Sequence, residues 1–183
     1  MRTYRLFIAS SIDEFRRQRV EINAWHDRIN RRLICHGVYL KLAICEYMSK
    51  ALAPVRKQDE YNAAIRESDF FVVIVGRRIG SYTFEEFETA YQQFMDSGHP
   101  AIAAILCSAD QETDDPEDRA SLDRFLKMAR QRDIRCLKAS DPAELVNLIY
   151  KPILDDILFT GQPAPAGEYA IADPSDQLTA LEL

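Results

Sequence analysis

Along the chain, short unbroken apolar runs alternate with longer stretches in which apolar side chains recur every three or four residues. The runs at 4–9 (YRLFIA), 38–44 (VYLKLAI), 70–75 (FFVVIV), 101–107 (AIAAILC) and 134–137 (IRCL) are too short for independent helices and rich in branched residues, so they predict strands. The third is apolar at every position, which predicts a strand buried on both faces and therefore helices above and below it. Between the runs, the 3.6-residue spacing predicts helices from about Ser11 to Arg32, from Gln58 to Glu67, from Phe84 to about Asp96, from Ala120 to Arg130, and from Asp141-Pro142 to about Phe159, with a bend expected at Pro152.

Start and stop signals refine this pattern. Ser10 or Ser11 can cap the first helix, and Ser11 with Glu14 three residues on fits a capping box. Phe15, Val20, Ile22, Trp25, Ile29 and Leu33 make its expected inward stripe, leaving Arg16, Arg17, Arg19, Arg28, Arg31 and Arg32 on a solvated face. In the second helix Tyr61, Ala64 and Ile65 are expected to face inward, and in the third Phe84, Phe87, Ala90, Tyr91 and Phe94. Gly98-His99-Pro100 ends the third helix. A strand followed by a helix, five times over, predicts an α/β fold of three layers: a doubly wound, five-stranded parallel sheet, flavodoxin-like, in the order 2-1-3-4-5. Residues 1–159 read as this domain, and 160–183, with Pro163, Pro165 and Pro174, as a linker or tail to which further domains could join.

Composition narrows the class of protein. A chain of 183 residues with 47% hydrophobic and 28% charged residues is ordinary for a globular domain. The formal charge of −6 argues against tracking nucleic-acid phosphates, so no direct nucleic-acid partner is expected. Residues 160–183 carry Glu168, Asp173, Asp176 and Glu182 and no cation, so the rest is nearly neutral. Cys35, Cys45, Cys107 and Cys136 are scattered without a CxxC pair, which speaks against structural zinc, and Cys107 and Cys136 read as small buried hydrophobes. The acids around Asp114-Asp115-Pro116, in the loop 108–117, lack calcium-loop spacing, and no metal is expected. Neither a secretory signal nor an apolar membrane span is visible, and the cytoplasm is the expected compartment.

The chemistry-bearing residues collect after strands. No GxGxxG, GxxxxGK[ST] or GxSxG motif occurs, which removes the best signals for dinucleotide-binding, phosphoryl-transfer and serine-hydrolase sites. Ser10, Ser11 and Asp13 follow the first strand, Glu46 the second, and the stretch from Arg77 to Glu88 the third. In an open parallel sheet these loops converge on one crevice, suited to a small ligand with sugar hydroxyls and phosphates. Gly76 to Thr83 reads as a loop with two cations, a hydroxyl and an aromatic ring. Glu85, Glu86 and Glu88 then either complement the positive end of a helix that starts at Phe84, or include one carboxylate that faces the crevice.

FIASS at the end of the first strand and the run RKQDEYNAAIRESDFFVVIVGRRIGSYTFEEFETA resemble the bacterial TIR-like (Toll/interleukin-1 receptor-like) domains, often N-terminal modules of larger defence proteins. The likeness covers roughly residues 4–159. It implies cleavage of NAD at the nicotinamide–ribose bond by one glutamate at the start of the helix after the third strand. It also implies activation by self-assembly, an antiphage defence or signalling role, and NAD as substrate with no further cofactor. Glu86 best fits that glutamate, with Glu85 and Glu88 as alternatives; Thr83-Phe84 stand where many members carry Trp-Cys. On this likeness Arg77 or Arg78 would meet the pyrophosphate, Tyr82 would stack on a base, and Ser10 and Ser11 would hold phosphate or ribose. Glu46 and Ser81 would line the same crevice. Two other readings are a non-enzymatic assembly module and an enzyme resembling nucleoside deoxyribosyltransferases, which also direct a glutamate at an N-glycosidic bond.

Overall fold

The structure, a computed structural model, describes residues 1–11, 14–44, 57–107 and 115–160. Strands β1 (Arg2–Ser10), β2 (Val38–Ile44), β3 (Phe70–Val75), β4 (Ala101–Cys107) and β5 (Cys136–Ala139) alternate with helices α1 (Arg16–Cys35), α2 (Lys57–Arg66), α3 (Ser81–Ser97), α4 (Pro116–Gln131) and α5 (Pro142–Asp155). The strands are all parallel, in the order β2-β1-β3-β4-β5, which is the expected doubly wound arrangement.

Alternation along the strands sends side chains to two cores. Leu6 and Ile8 of β1 with Phe70, Val72 and Ile74 of β3 pack against Phe15, just before α1, against Ile22 and Leu33 of α1, and against Leu145, Ile149 and Ile153 of α5. Phe7 and Ala9 of β1 with Phe71, Val73 and Val75 of β3 meet Ile65 of α2, Phe87 and Ala90 of α3, and Leu122 and Phe125 of α4. All six residues of β3 are buried, since both layers of helices close over it.

Several local expectations are corrected. The box between Ser11 and Glu14 does not form: α1 begins at Arg16 behind Phe15, no side chain among the described residues caps it, and Glu14 turns elsewhere. Its inward face is Phe15, Arg19, Ile22, His26, Asn30 and Leu33, with Ile29 half-buried, while Val20 and Trp25 are exposed. The helical spacing is therefore real but carries three polar residues, so Arg19 leaves the solvated face assigned to it. Arg16, Arg17, Arg28, Arg31 and Arg32 stay exposed.

Helix α3 starts three residues earlier than the apolar pattern suggests, because Gly80 in an extended conformation hands directly into it; Ser81, Tyr82 and Thr83 form its first turn instead of a loop. That turn contains no acid, so Glu85, Glu86 and Glu88 do not complement its positive end. Phe84 is exposed.

Helix α4 begins at Pro116, where Asp115 accepts the N–H of Glu117, so the end of the expected acidic loop is a helix cap; residues 108–114 lie outside the described residues. Strand β5 sits two residues later than expected, because the N–H of Ile134 closes the end of α4 on the carbonyl of Ala129 at 2.8 Å. Asp141 caps α5 through the N–H of Glu144. That helix ends at Asp155 and passes into one turn of π-helix, Asp156–Thr160. Cys107 is buried and Cys136 half-buried; Cys45 and residues 161–183 fall outside the described residues.

Candidate active site

Because every strand is parallel, the amino ends of α1, α2 and α3 lie at the edge of the sheet where β1, β2 and β3 end. This is where ligands bind in open α/β sheets. The residues placed there are Ser10 and Ser11 from β1 and the turn after it, Glu14 before α1, Gln58 and Asn62 on α2, Gly76 to Gly80 after β3, and the first two turns of α3.

The three glutamates of α3 have three different environments, because successive helical residues point about 100° apart. The Oε1 of Glu85 accepts the side-chain amide of Asn62 at 3.0 Å, which draws it toward α2. Glu88 takes both outer nitrogens of Arg132, at 2.6 and 3.0 Å, at the far end of α4, and the same guanidinium lies 4.3 Å from the centre of the Tyr91 ring. Glu86 belongs to the inward face with Thr83, Phe87 and Ala90 and is 2% exposed. A carboxylate so removed from water is costly unless polar groups surround it.

The other expected site residues are distributed as follows. Ser10 is buried and committed to Arg19: its hydroxyl accepts Nε of Arg19 at 3.0 Å and its carbonyl accepts Nη2 at 2.6 Å. Ser11 is half-buried, and its carbonyl takes the N–H of Phe15 at 3.1 Å. Arg77 and Arg78 are exposed and flank the edge, Arg77 beside Glu14 at 3.5 Å and Arg78 beside Asp118 at 3.4 Å. Ser81 is exposed, and Tyr82, 68% exposed, stands out from the first turn of α3 and is not a packing anchor. Glu46 lies outside the described residues.

Glu14, read from the sequence only as a capping residue, stands at this edge together with Gln58 and Asn62, to which sequence reasoning assigned no site role. Gln58 donates to Asn62 at 3.3 Å and Asn62 to Glu85, so a buried line of amides crosses from α2 to the helix that bears Glu86. The signal was present: Gln58 and Asn62 stand seven and three residues before Ile65, in phase with the buried face. Among the described residues no group of three His, Cys, Asp or Glu side chains could hold a metal ion, and no helix is long and apolar enough to cross a membrane.

Fold and site together define a doubly wound parallel α/β domain with a buried acid at the carboxyl edge of its sheet. The chain belongs to the family described as a domain of unknown function (DUF4062), whose model matches residues 5–153. No curated protein matches it in sequence. One solved structure similar to it is the CMP N-glycosidase of Clostridium botulinum, at 16% identity and a TM-score of 0.47, over 80% of this chain and 98% of that one.

Proposed function

We propose that the domain is a TIR-like effector that cleaves the bond between nicotinamide and ribose in NAD, with Glu86 as the charged group at the reacting sugar. It would work in an assembled state, in bacterial antiphage defence or signalling. The observation that carries this reading is the placement of Glu86, which is turned inward from the first turns of α3, 2% exposed, near the carboxyl edge of the sheet.

One carboxylate suffices for this chemistry. Ordinary glycosides need an acid for the leaving group and a second carboxylate on the other face of the sugar. Nicotinamide in NAD is already cationic, so when its bond to C1′ breaks the electron pair neutralises the ring and no proton donor is required. The positive charge passes to the ribose, and an ionised glutamate in a poorly hydrated setting stabilises that charge far more than it would in water. Water then bonds to C1′ and releases its proton to solvent, giving ADP-ribose. Arg77, exposed at the same edge, suits the pyrophosphate, and Tyr82 offers an open ring face for a base.

The test is nicotinamide release from NAD by concentrated or scaffolded protein, with Glu86→Gln as the control. Release by the wild type and its loss in the variant are expected. Intact NAD under enforced assembly counts against the reading, as does a Glu86→Gln variant that cleaves normally. Base release from nucleotides or deoxynucleosides with NAD untouched would move the same carboxylate to a nucleoside substrate. Self-association without any cleavage would favour an assembly module.

A further inference from the structure

The strand that leads to the site is held at its end by an acid from a different connection. The Oε1 of Glu14 accepts the backbone N–H of Arg77 at 2.7 Å and lies 3.5 Å from Nε of the same residue, across 63 residues of chain. The two charges are unequally covered: the Glu14 side chain is 8% exposed and that of Arg77 53%. A pair made only for surface stability would leave both ends wet and contribute little. Here the acid is sheltered and the cation is left facing solvent at the carboxyl edge.

Gly76 is what lets the acid in. A Cβ at this position would fall 2.3 Å from Oε1 of Glu14, 2.7 Å from its Cδ and 3.0 Å from Cζ of Phe15, so the glycine is required for close approach and not for its torsion angles. On the other side, Arg78 reaches Asp118 at 3.4 Å and the N–H of Ile79 reaches the Ser121 hydroxyl at 3.4 Å. The five-residue link from β3 to α3 is thus gripped from both flanks, with the shortest contact at Glu14, and it runs straight into the helix that carries Glu86.

We infer that Glu14 is a positioning residue: by holding the Gly76-Arg77 backbone it fixes where the Arg77 guanidinium stands, and so sets the place of an anionic group, the pyrophosphate of a dinucleotide, relative to Glu86. This rests on the function proposed above. Preorganised placement of this kind acts on binding of the ligand's non-reacting end, while the reacting carboxylate acts on the bond being broken.

The experiment compares Glu14→Ala, Glu14→Gln and Arg77→Ala in assembled full-length protein, each shown to be folded by circular dichroism. Glu14→Ala and Arg77→Ala are expected to raise KM for NAD by about tenfold or more, with kcat within about threefold, the scale of one charge-assisted hydrogen bond. Glu14→Gln, whose carbonyl still accepts the Arg77 N–H, is expected to stay within about threefold of the wild-type KM. Wild-type KM in folded Glu14→Ala, a fall in kcat alone, or a glutamine variant as impaired as the alanine one would overturn the inference. If the wild type releases no nicotinamide, it is the proposed function that has failed. The inference is then read from amide hydrogen exchange at Arg77, expected to quicken about tenfold in Glu14→Ala and not in Glu14→Gln; equal rates in all three proteins would overturn it.

Discussion

Asn30 on α1 takes both backbone groups of Leu40 on β2: its Oδ1 accepts the N–H at 2.9 Å and its Nδ2 donates to the carbonyl at 2.8 Å. Among the described strands β2 is an outer one, so these are groups that no further described strand pairs. Asn30→Ala leaves a buried donor and acceptor unmatched, and a loss of about 2–4 kcal/mol is expected in denaturant titrations. A loss under about 0.5 kcal/mol would show that water replaces the amide at no cost.

The same asparagine ties the fold to pH. Its Nδ2 also lies 2.9 Å from Nε2 of buried His26, and because Leu40 fixes the amide's orientation, Nε2 must accept. Protonation would set two donors face to face. Burial holds the His26 pKa below its usual value, against smaller upward pulls from Asp27 and the Leu40 backbone, while Tyr150 covers the ring from α5 with 6.0 Å between centroids. With the folded pKa below the unfolded value of about 6.5, the contribution is complete above that pH. It is lost as pH falls from about 6.5 toward the folded value, because the unfolded chain binds the proton first. Denaturation midpoints between about pH 8 and pH 5 should fall more steeply in the wild type than in His26→Gln; parallel curves would refute the coupling.

Arg19, 1% exposed, joins α1 to the last residue of β1 through Ser10. Arg19→Ala is expected to cost about 3 kcal/mol, since it removes a large buried side chain and leaves the Ser10 carbonyl short of a donor. Ser10→Ala removes only one acceptor, at about 1 kcal/mol. Arg19→Lys should recover less than half of the loss, because an ammonium cannot place two donors in the guanidinium's planar fork. Thermal unfolding of the three variants gives the ranking, and a fully stable lysine variant would contradict it.

The glutamates of α3 separate by readout. Glu86→Gln is expected to lower nicotinamide release by at least about a hundredfold, the scale of a lost electrostatic stabiliser. Glu88→Gln should leave turnover within about threefold and lower stability by roughly 0.5 kcal/mol, a small figure because the Glu88 side chain is 38% exposed and solvent screens its pairing with Arg132. Glu85→Gln keeps an acceptor for Asn62 and should be close to neutral in both measurements. Loss of turnover in Glu85→Gln with Glu86→Gln intact would exchange their roles.

Gly76→Ala should destabilise by about 1–3 kcal/mol through overlap with Glu14 and Phe15. Combined with Glu14→Ala, much of that loss should disappear, since the nearest clashing atoms are gone. A double-mutant cycle measures this, and strictly additive losses would place the strain elsewhere.

The strands β2, β3 and β4 are legible to the residue because each is a short, dense apolar run, and their order follows from alternation with helices. Boundaries moved where a turn, cap or linker overrode the apolar pattern: Ile134 closes α4, Asp115-Pro116 opens it, and Gly80 starts α3 before Phe84. At α1 the spacing and the inward Phe15, Ile22 and Leu33 were legible, while Val20 and Trp25 turn outward because Arg19, His26 and Asn30 occupy inward positions that an apolar count leaves out.

What local spacing could determine by itself was the class of fold, the succession of its elements and the presence of an acidic helix after the central strand. Each of these depends on neighbours within one or two turns of chain. Which polar side chains lie inside was decided only by tertiary structure, because a buried polar group survives through partners that stand far away in sequence. Glu14 finds the N–H of Arg77, Asn62 finds Glu85, and Glu88 finds Arg132, 63, 23 and 44 residues apart. Tertiary packing likewise turns Glu86 inward, where it is 2% exposed.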